Sequence, residues 1–357
     1  MFKPFGALYL ILGTCIAAGM LGLPIVTATY HFSLTVVMLL IAWGVMTTGA
    51  WCLLQVNMQM PRGANFVSMS QKTFGNIGKI ITWCVYLMLL IALVCAYLGA
   101  STDLLYALLN KMHLMVPRSV ATLLASIVLG SIVYQGIHAV DYTNRVLMSI
   151  KFVICFILIG SVIPFSHTSA LALGNANWHG ATWLVMITAF GYGSILPSIR
   201  DYLGNNKKQL TRIFWIGSFI PIILYLLWIA VIQGALPRAV LAAMNNSANT
   251  NSLLMGALVN LTHKTLLQSI SVVFISICSV TGFLSVTTSL FDTLTDGFKH
   301  KVNRLWIAVI ALLPPLLIVV FDPSIFIRAL AYAGVCCLYM LVILPIAMFI
   351  ILRKRMR

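Results

Sequence analysis

Runs of about twenty apolar residues recur along this chain, each long enough to cross the hydrocarbon core of a bilayer as a helix. Ten such runs can be read, at about 5–28, 33–57, 79–101, 118–138, 146–165, 181–203, 213–235, 267–291, 304–321 and 327–351. In hydrocarbon every backbone N–H and C=O must find a partner inside the protein, so runs of this kind fold as helices. No other solvent suits the composition: 61% of the 357 residues are hydrophobic, 8% are charged, and mean hydropathy is +1.03. A soluble domain carries roughly 25% charged residues. Six aspartates (Asp103, Asp141, Asp201, Asp292, Asp296, Asp322) are the whole acidic inventory, and glutamate is absent. The expected fold class is an all-α integral membrane protein of ten transmembrane helices, with the lipid bilayer as its partner.

The net charge of +16 could suggest a nucleic-acid partner. The lysines and arginines sit instead in short connectors between apolar runs, so no nucleic acid is expected. Their sidedness fixes topology. With the N-terminus in the cytoplasm and ten alternating spans, 17 of the 22 basic residues fall at inside ends. The remaining five (Lys111, Arg118, Arg238, Lys264, Arg328) fall outside. Both termini are then cytoplasmic, in a plasma membrane, the inner one in a bacterium. The run after Lys3 outlasts a cleavable signal and reads as a first span. Eight cysteines without CxxC spacing read as small buried hydrophobes, and seven scattered histidines offer no metal site. No cofactor is implied. Oligomeric state is not legible.

Connectors such as Met60-Pro61-Arg62-Gly63 and Gly204-Asn205-Asn206-Lys207 are short and polar. One connector, about 236–266, is long and contains the apolar stretch Leu253–Val259, too short to span and read as an interfacial helix or outer lid. Spans 1 and 6 differ from the rest. The first contains Gly13-Thr14-Cys15-Ile16-Ala17-Ala18-Gly19-Met20-Leu21-Gly22-Leu23-Pro24, the sixth Phe190-Gly191-Tyr192-Gly193-Ser194-Ile195-Leu196-Pro197. They begin roughly 176 residues apart, and each opens a set of five spans. Five is odd, so the second set runs inverted. The expectation is one transporter domain over 1–357, a 5+5 inverted repeat (about 5–165 and 181–351) with discontinuous helices 1 and 6.

Broken helix in hydrocarbon leaves unpaired backbone groups at several kcal/mol each, tolerable where a ligand, ion or water satisfies them. A half-helix N-terminus suits a carboxylate, and facing C-terminal carbonyls suit an ammonium or a cation. A zwitterionic amino acid carries both groups. The alternative for either segment alone is helix packing, since Ala18-x-x-x-Gly22 is also a small-xxx-small pattern.

The residues resemble the aromatic amino acid permeases of the hydroxy/aromatic amino acid permease family, within the amino acid–polyamine–cation superfamily. The resemblance rests on Gly13-Thr14 … Gly19-Met20-Leu21 … Pro24, Ala96-Tyr97, and Val140-Asp141 … Asn144-Arg145 … Lys151. It continues through Phe190-Gly191 … Pro197-Ser198-Ile199, Phe283-Leu284, Leu290-Phe291-Asp292, Leu313-Pro314-Pro315 and Ala331–Val335. It departs at Ala17, where the family usually has glycine, and at Gly193, near where the tyrosine carrier has a histidine. Family members also carry an eleventh helix beyond the ten read here.

The resemblance implies a secondary active carrier taking up an aromatic amino acid, tyrosine or tryptophan, with serine or threonine as the alternative cargo. The substrate carboxylate would meet N–H groups of Ala17, Ala18 and Gly19. Its amine would meet carbonyls near Cys15 and at Ala189, Phe190 and Gly191. Tyr97, Phe190 and Tyr192 could wall a ring, unless they face lipid. Thr281, Ser285, Thr287 and Thr288 either face the site or bond their own helix. Lys151 resembles a lysine that replaces a sodium ion between helices 1, 5 and 8, which implies proton symport. Buried amines can act as proton carriers. A snorkelling interfacial lysine is the plainer alternative. Asp201, Asp292 and Asp296 are expected in cytoplasmic salt bridges, for instance with Arg145 or Arg200.

Three rival functions are weaker. Thr188-Ala189-Phe190-Gly191-Tyr192-Gly193 has one residue too many for a TVGYG channel filter. Neither an HExxH nor a GxSxG motif supports an enzyme. An amino acid sensor on the same fold would differ only in failing to move its ligand.

Overall fold

A computed structural model of the chain describes residues 3–135, 137–175, 180–262, 265–298 and 302–355. Among the described residues ten helices are long and apolar enough to cross a membrane, as expected. They are Pro4–Val26, Phe32–Met58, Phe66–Lys111, Arg118–Gln135, Val146–Phe165, Gly180–Leu203, Lys207–Ala235, Ser269–Gly297, Arg304–Phe321 and Ile325–Lys354. Among the described residues the only β pairing is an isolated bridge between Tyr30 and Asn175. An even span number puts both chain ends on one face, here the terminal face. The opposite side is the lid face.

Spans 1 and 6 are the most buried, with 82% and 67% of their central residues enclosed, against 22% for span 9. The two segments rich in small residues therefore lie at the centre of the bundle, where irregular backbone is shielded from lipid. Glycine lets their neighbours approach. A Cβ on Gly334 in span 10 would meet the backbone of Leu184 in span 6, and one on Gly49 in span 2 would meet the Leu341 carbonyl. Span 10 widens into π-helix at Tyr339–Ile343, where it passes Gly49.

Span 3 is longer than the 79–101 expected. It runs over Phe66–Lys111 and bends at Gly75, whose φ of 71° is open to glycine at no steric cost. A capping box starts it: Ser68 N donates to Asn65 Oδ1 (2.8 Å) and Asn65 N to Ser68 Oγ (2.9 Å). The stretch before the bend carries Gln71 and Lys72, both exposed, and so fell outside the apolar run.

The long connector is helical, as expected of its apolar stretch. It folds as Arg238–Ala243, a 3-10 turn at Met244–Asn246, and Thr250–Thr262. Each half is tied to a different part of the bundle. Arg238 donates to the carbonyls of Ala28 (3.1 Å), Tyr30 (2.7 Å), Ala170 (3.1 Å) and Leu171 (3.4 Å). Burial draws its pKa below the ordinary arginine value, and the four carbonyls offset that cost by accepting from the charged form. The second half is held by Asp103 in span 3, which accepts from Asn251 N (2.7 Å), Ser252 N (2.9 Å) and Ser252 Oγ (2.8 Å). Arg118 at the start of span 4 donates to Asn249 Oδ1 and the Ala248 carbonyl.

A carboxylate on a helix N-terminus makes strong bonds, each worth about 1.5–3 kcal/mol. Asp103→Ala is expected to raise amide hydrogen exchange in residues 250–256 by at least about tenfold. Unchanged protection there would show that packing alone holds this helix.

On the terminal face, Arg200 donates to the carbonyls of Asn57 and Met60 (2.9 Å) and to Asn205 Oδ1 (2.9 Å). It thus ties the end of span 6 to the end of span 2. Asp201 accepts from Gly63 N (3.1 Å), and no salt bridge to it is found among the described residues. The side chain of Arg145, the other expected partner, lies outside the described part of the structure. Among the described residues an ion pair stands on the lid face, Arg328 to Asp322 at 2.6 Å.

Candidate functional site

The first half of span 1 ends at Cys15, and its second half begins at Ala18. Between them Ala17 leaves helical geometry (φ −147°, ψ −93°), and its N–H donates to the Cys15 carbonyl at 2.7 Å. The half-helix Ala18–Val26 has no side-chain cap, and Ala17 carries no group that could supply one. Its first N–H groups therefore point back into the break without a helical acceptor. Pro24 lies inside this half and lacks an N–H of its own.

Span 6 breaks in the corresponding place. Helix Gly180–Ala189 stops at Phe190, a tighter 3-10 turn covers Gly191–Ile195, and helix resumes at Leu196–Leu203 with Pro197 in its first turn. The glycine-rich segment is thus rewound rather than extended. Gly191 has open space where a side chain would stand.

The two breaks meet. Tyr225 of span 7 places its hydroxyl 2.6 Å from the Cys15 carbonyl and 2.9 Å from the Ala189 carbonyl. The terminal carbonyls of both half-helices therefore converge on one atom. Phe190 is fully buried and meets the Tyr225 ring edge-on at 5.3 Å. A Cβ on Gly19 would lie 2.5 Å from the Tyr225 hydroxyl, so the ring is seated on the start of the second half-helix. Trp228, one turn on, donates to the Met20 carbonyl at 2.7 Å.

Span 8 closes the other side. Tyr97 of span 3 is buried against Gly282, where any side chain would strike its ring. Lys151 is 0% exposed and donates to Thr281 Oγ1 at 3.2 Å. Thr281 lies in span 8 one turn from Cys278, which meets span 1, so buried Lys151 stands by the junction of spans 1, 5 and 8 and does not snorkel. The Cys278 thiol approaches the Ile16 carbonyl at 3.9 Å.

Several expected residues lie elsewhere. Tyr192 is buried, but it turns to span 2, where its hydroxyl pairs with Thr47 Oγ1 at 2.7 Å. The open face of Gly193 looks at Ala50 and Leu341, so it serves packing between spans 2 and 10 rather than the junction of the breaks. Ser285 is exposed and accepts from Asn144 Nδ2 at 3.0 Å. It lies one turn beyond Thr281, toward the terminal face. Thr288 bonds its own helix at the Leu284 carbonyl (2.7 Å), and Thr287 is fully buried. Small polar side chains on that side of the breaks are exposed, at Thr14, Ser194, Ser198 and Ser285. On the lid side Thr27, Gln233 and Trp228 are buried, with Gln233 donating to Thr27 Oγ1 at 2.7 Å.

A paired break of this kind, enclosed at mid-bundle, is what a carrier places around its cargo. Residues 2–357 match the tryptophan/tyrosine permease family. The chain belongs to that family. Among the permease's relatives is the tyrosine-specific transport system 1 of Haemophilus influenzae, 30% identical over 98% of this chain and 88% of that protein. The tryptophan-specific transport protein of Shigella flexneri is 27% identical over 98% of this chain and 87% of its own length. Among solved structures, Mhp1, a nucleobase-cation-symport-1 family transporter in a closed conformation with bromovinylhydantoin bound, superposes with a TM-score of 0.63. The match covers 92% of this chain and 74% of that one at 13% identity, a likeness of fold. The permease is thus a multi-pass transport protein of the expected fold class, not an enzyme.

Tyr225 and Trp228 were not among the residues singled out from sequence. A signal existed: a tyrosine and a tryptophan one turn apart inside an apolar span each need a partner for a polar atom. In this permease those partners are the carbonyls of interrupted helices.

Proposed function

We propose that the permease is a secondary active carrier that takes up an aromatic amino acid, tyrosine or tryptophan, together with a proton. It works by alternating access across the plasma membrane (the inner membrane of a bacterium), with both termini cytoplasmic. The observation that carries this reading is the convergence of the Cys15 and Ala189 carbonyls beside the uncapped half-helix Ala18–Val26. Acceptors for an ammonium and donors for a carboxylate then stand side by side. The names of the relatives favour an aromatic side chain. Buried Phe190 and Tyr97 supply ring surface next to the breaks, where offset or edge contact contributes about 0.5–1.5 kcal/mol per pair.

Ala17, Ala18 and Gly19 hold the carboxylate in this reading, and Cys15, Ala189, Phe190 and Gly191 receive the amine. The matching breaks support two inverted repeats, about 5–165 and 181–351. Proton coupling is assigned to Lys151, an amine removed from water whose described partner is the neutral hydroxyl of Thr281. Uptake into proteoliposomes under an imposed pH gradient tests the whole reading. Labelled tyrosine or tryptophan should accumulate and be displaced by aromatic amino acids, not by serine, threonine or glutamine. Binding without uptake would make the protein a sensor, and failure of every aromatic amino acid to compete would end the substrate assignment.

A further inference from the structure

We infer that the Tyr225 hydroxyl is a built-in stand-in for the substrate's ammonium group, which must displace it to bind. The inference rests on the amino acid reading above and adds a residue to it, one that competes for the site.

The geometry is unusual for a structural hydrogen bond. Lys3–Cys15 and Gly180–Ala189 both end, at their C-terminal carbonyls, on the same oxygen, at 2.6 and 2.9 Å. A helix C-terminus carries roughly half a negative charge. Two such ends are therefore aimed at one neutral group in a fully buried place. A tyrosine hydroxyl has a single proton to donate. It can satisfy one carbonyl at a time, and its own lone pairs then face the other. The Cys15 carbonyl also accepts from Ala17 N–H at 2.7 Å, so one donor is left for two helix ends to share, and the position lacks a positive charge. An ammonium group brings three donors and the charge that both helix ends favour. The hydroxyl is a partial match to a place better suited to an amine.

The ring's seat agrees with a competitor rather than a bystander. It packs on Gly19 so closely that a methyl group there would lie 2.5 Å from the hydroxyl, and Phe190 lies edge-on at 5.3 Å. Gly19 and Phe190 are the residues assigned to the carboxylate and the ring of the cargo. A bound amino acid and this pose of Tyr225 thus claim the same space. With Ala17 N–H on the Cys15 carbonyl, the hydroxyl keeps the pair occupied between transport events. It also sets a threshold that only a ligand with an α-amine crosses, which makes Tyr225 a specificity-determining residue.

The test uses the purified full-length permease in nanodiscs, with tryptophan and its amine-free analogue indole-3-propionate as ligands. Tyr225→Phe removes the competing hydroxyl and keeps the ring. It should lower the Kd for tryptophan about three- to tenfold, the equivalent of one hydrogen bond. The weak affinity for indole-3-propionate should not change. An unchanged or raised Kd for tryptophan, or an equal gain for the analogue, would overturn the inference. If the variant is unfolded, 3-fluorotyrosine placed at 225 in the otherwise unaltered chain gives a second readout. Its fluorine resonance should shift on adding tryptophan and not on adding the analogue, and no shift with tryptophan would overturn the inference. Failure of the unmutated permease to bind any aromatic amino acid would instead refute the substrate class, separately from the behaviour of Tyr225.

Discussion

Lys151→Ala is expected to abolish accumulation driven by a pH gradient while leaving exchange of substrate across the membrane measurable. The side chain is fully buried between spans 1, 5 and 8, with Thr281 as its described hydrogen-bond partner. A charge held there is expensive, and membrane proteins keep such residues for function. If one proton enters with a neutral zwitterion, each 100 mV contributes about 2.3 kcal/mol, or roughly 50-fold in accumulation. Alanine should bring that ratio close to one under the same gradient. Counterflow needs no net driving force, so it should continue at a reduced rate. Accumulation with unchanged pH dependence would remove Lys151 from the coupling mechanism.

Gly334→Val is expected to cost more stability than any conservative change at the surface. The new Cβ would fall on the backbone of Leu184, in the first half of span 6. Backbone in a helix cannot swing aside as a side chain can, so spans 6 and 10 would have to separate. Overpacking of this kind typically costs about 1–3 kcal/mol, with backbone clashes at the upper end. Unfolding of the detergent-solubilised variant should begin several degrees lower, and transport should fall because span 6 carries one of the breaks. Gly44→Ala is the control, since nothing lies within 4 Å of its added methyl group. Equal melting of the two variants would show that the close approach at Gly334 is not needed.

Much of this architecture was legible in the chain, for physical reasons that also mark where legibility ended. Apolar runs of spanning length leave lipid and helix as the only solution, so the ten spans were readable. The breaks at Cys15–Ala18 and Phe190–Ile195 showed as glycine and proline in matching places. Span 3 was underestimated because its first turns are polar and lie before the bend at Gly75. The fate of residues inside a break was not readable. Helical periodicity says nothing of where Tyr192 or Gly193 point once five residues rewind as 3-10 helix, and both proved to face span 2. Ser285 shared a face with Thr281 by spacing, yet one turn carries it out of the buried region to Asn144. Tyr225 and Asp103 were hidden for another reason. Their partners lie far away in sequence, Cys15 at 210 residues and Asn251 at 148.

The doubly tethered loop on the lid face has a mechanical consequence. Arg238 pins one helix to the carbonyls after span 1, while Asp103 and Arg118 pin the other to spans 3 and 4. Only residues 244–248 connect the two tethered pieces. A fully extended chain reaches about 3.3–3.6 Å per residue, so this strap can stretch to roughly 17 Å and no further. The facing ends of the two helices therefore cannot part beyond that leash while both tethers hold. In the proposed uptake reading, any passage opening between these helices is bounded in width by chain length, separately from the shape of the site beneath.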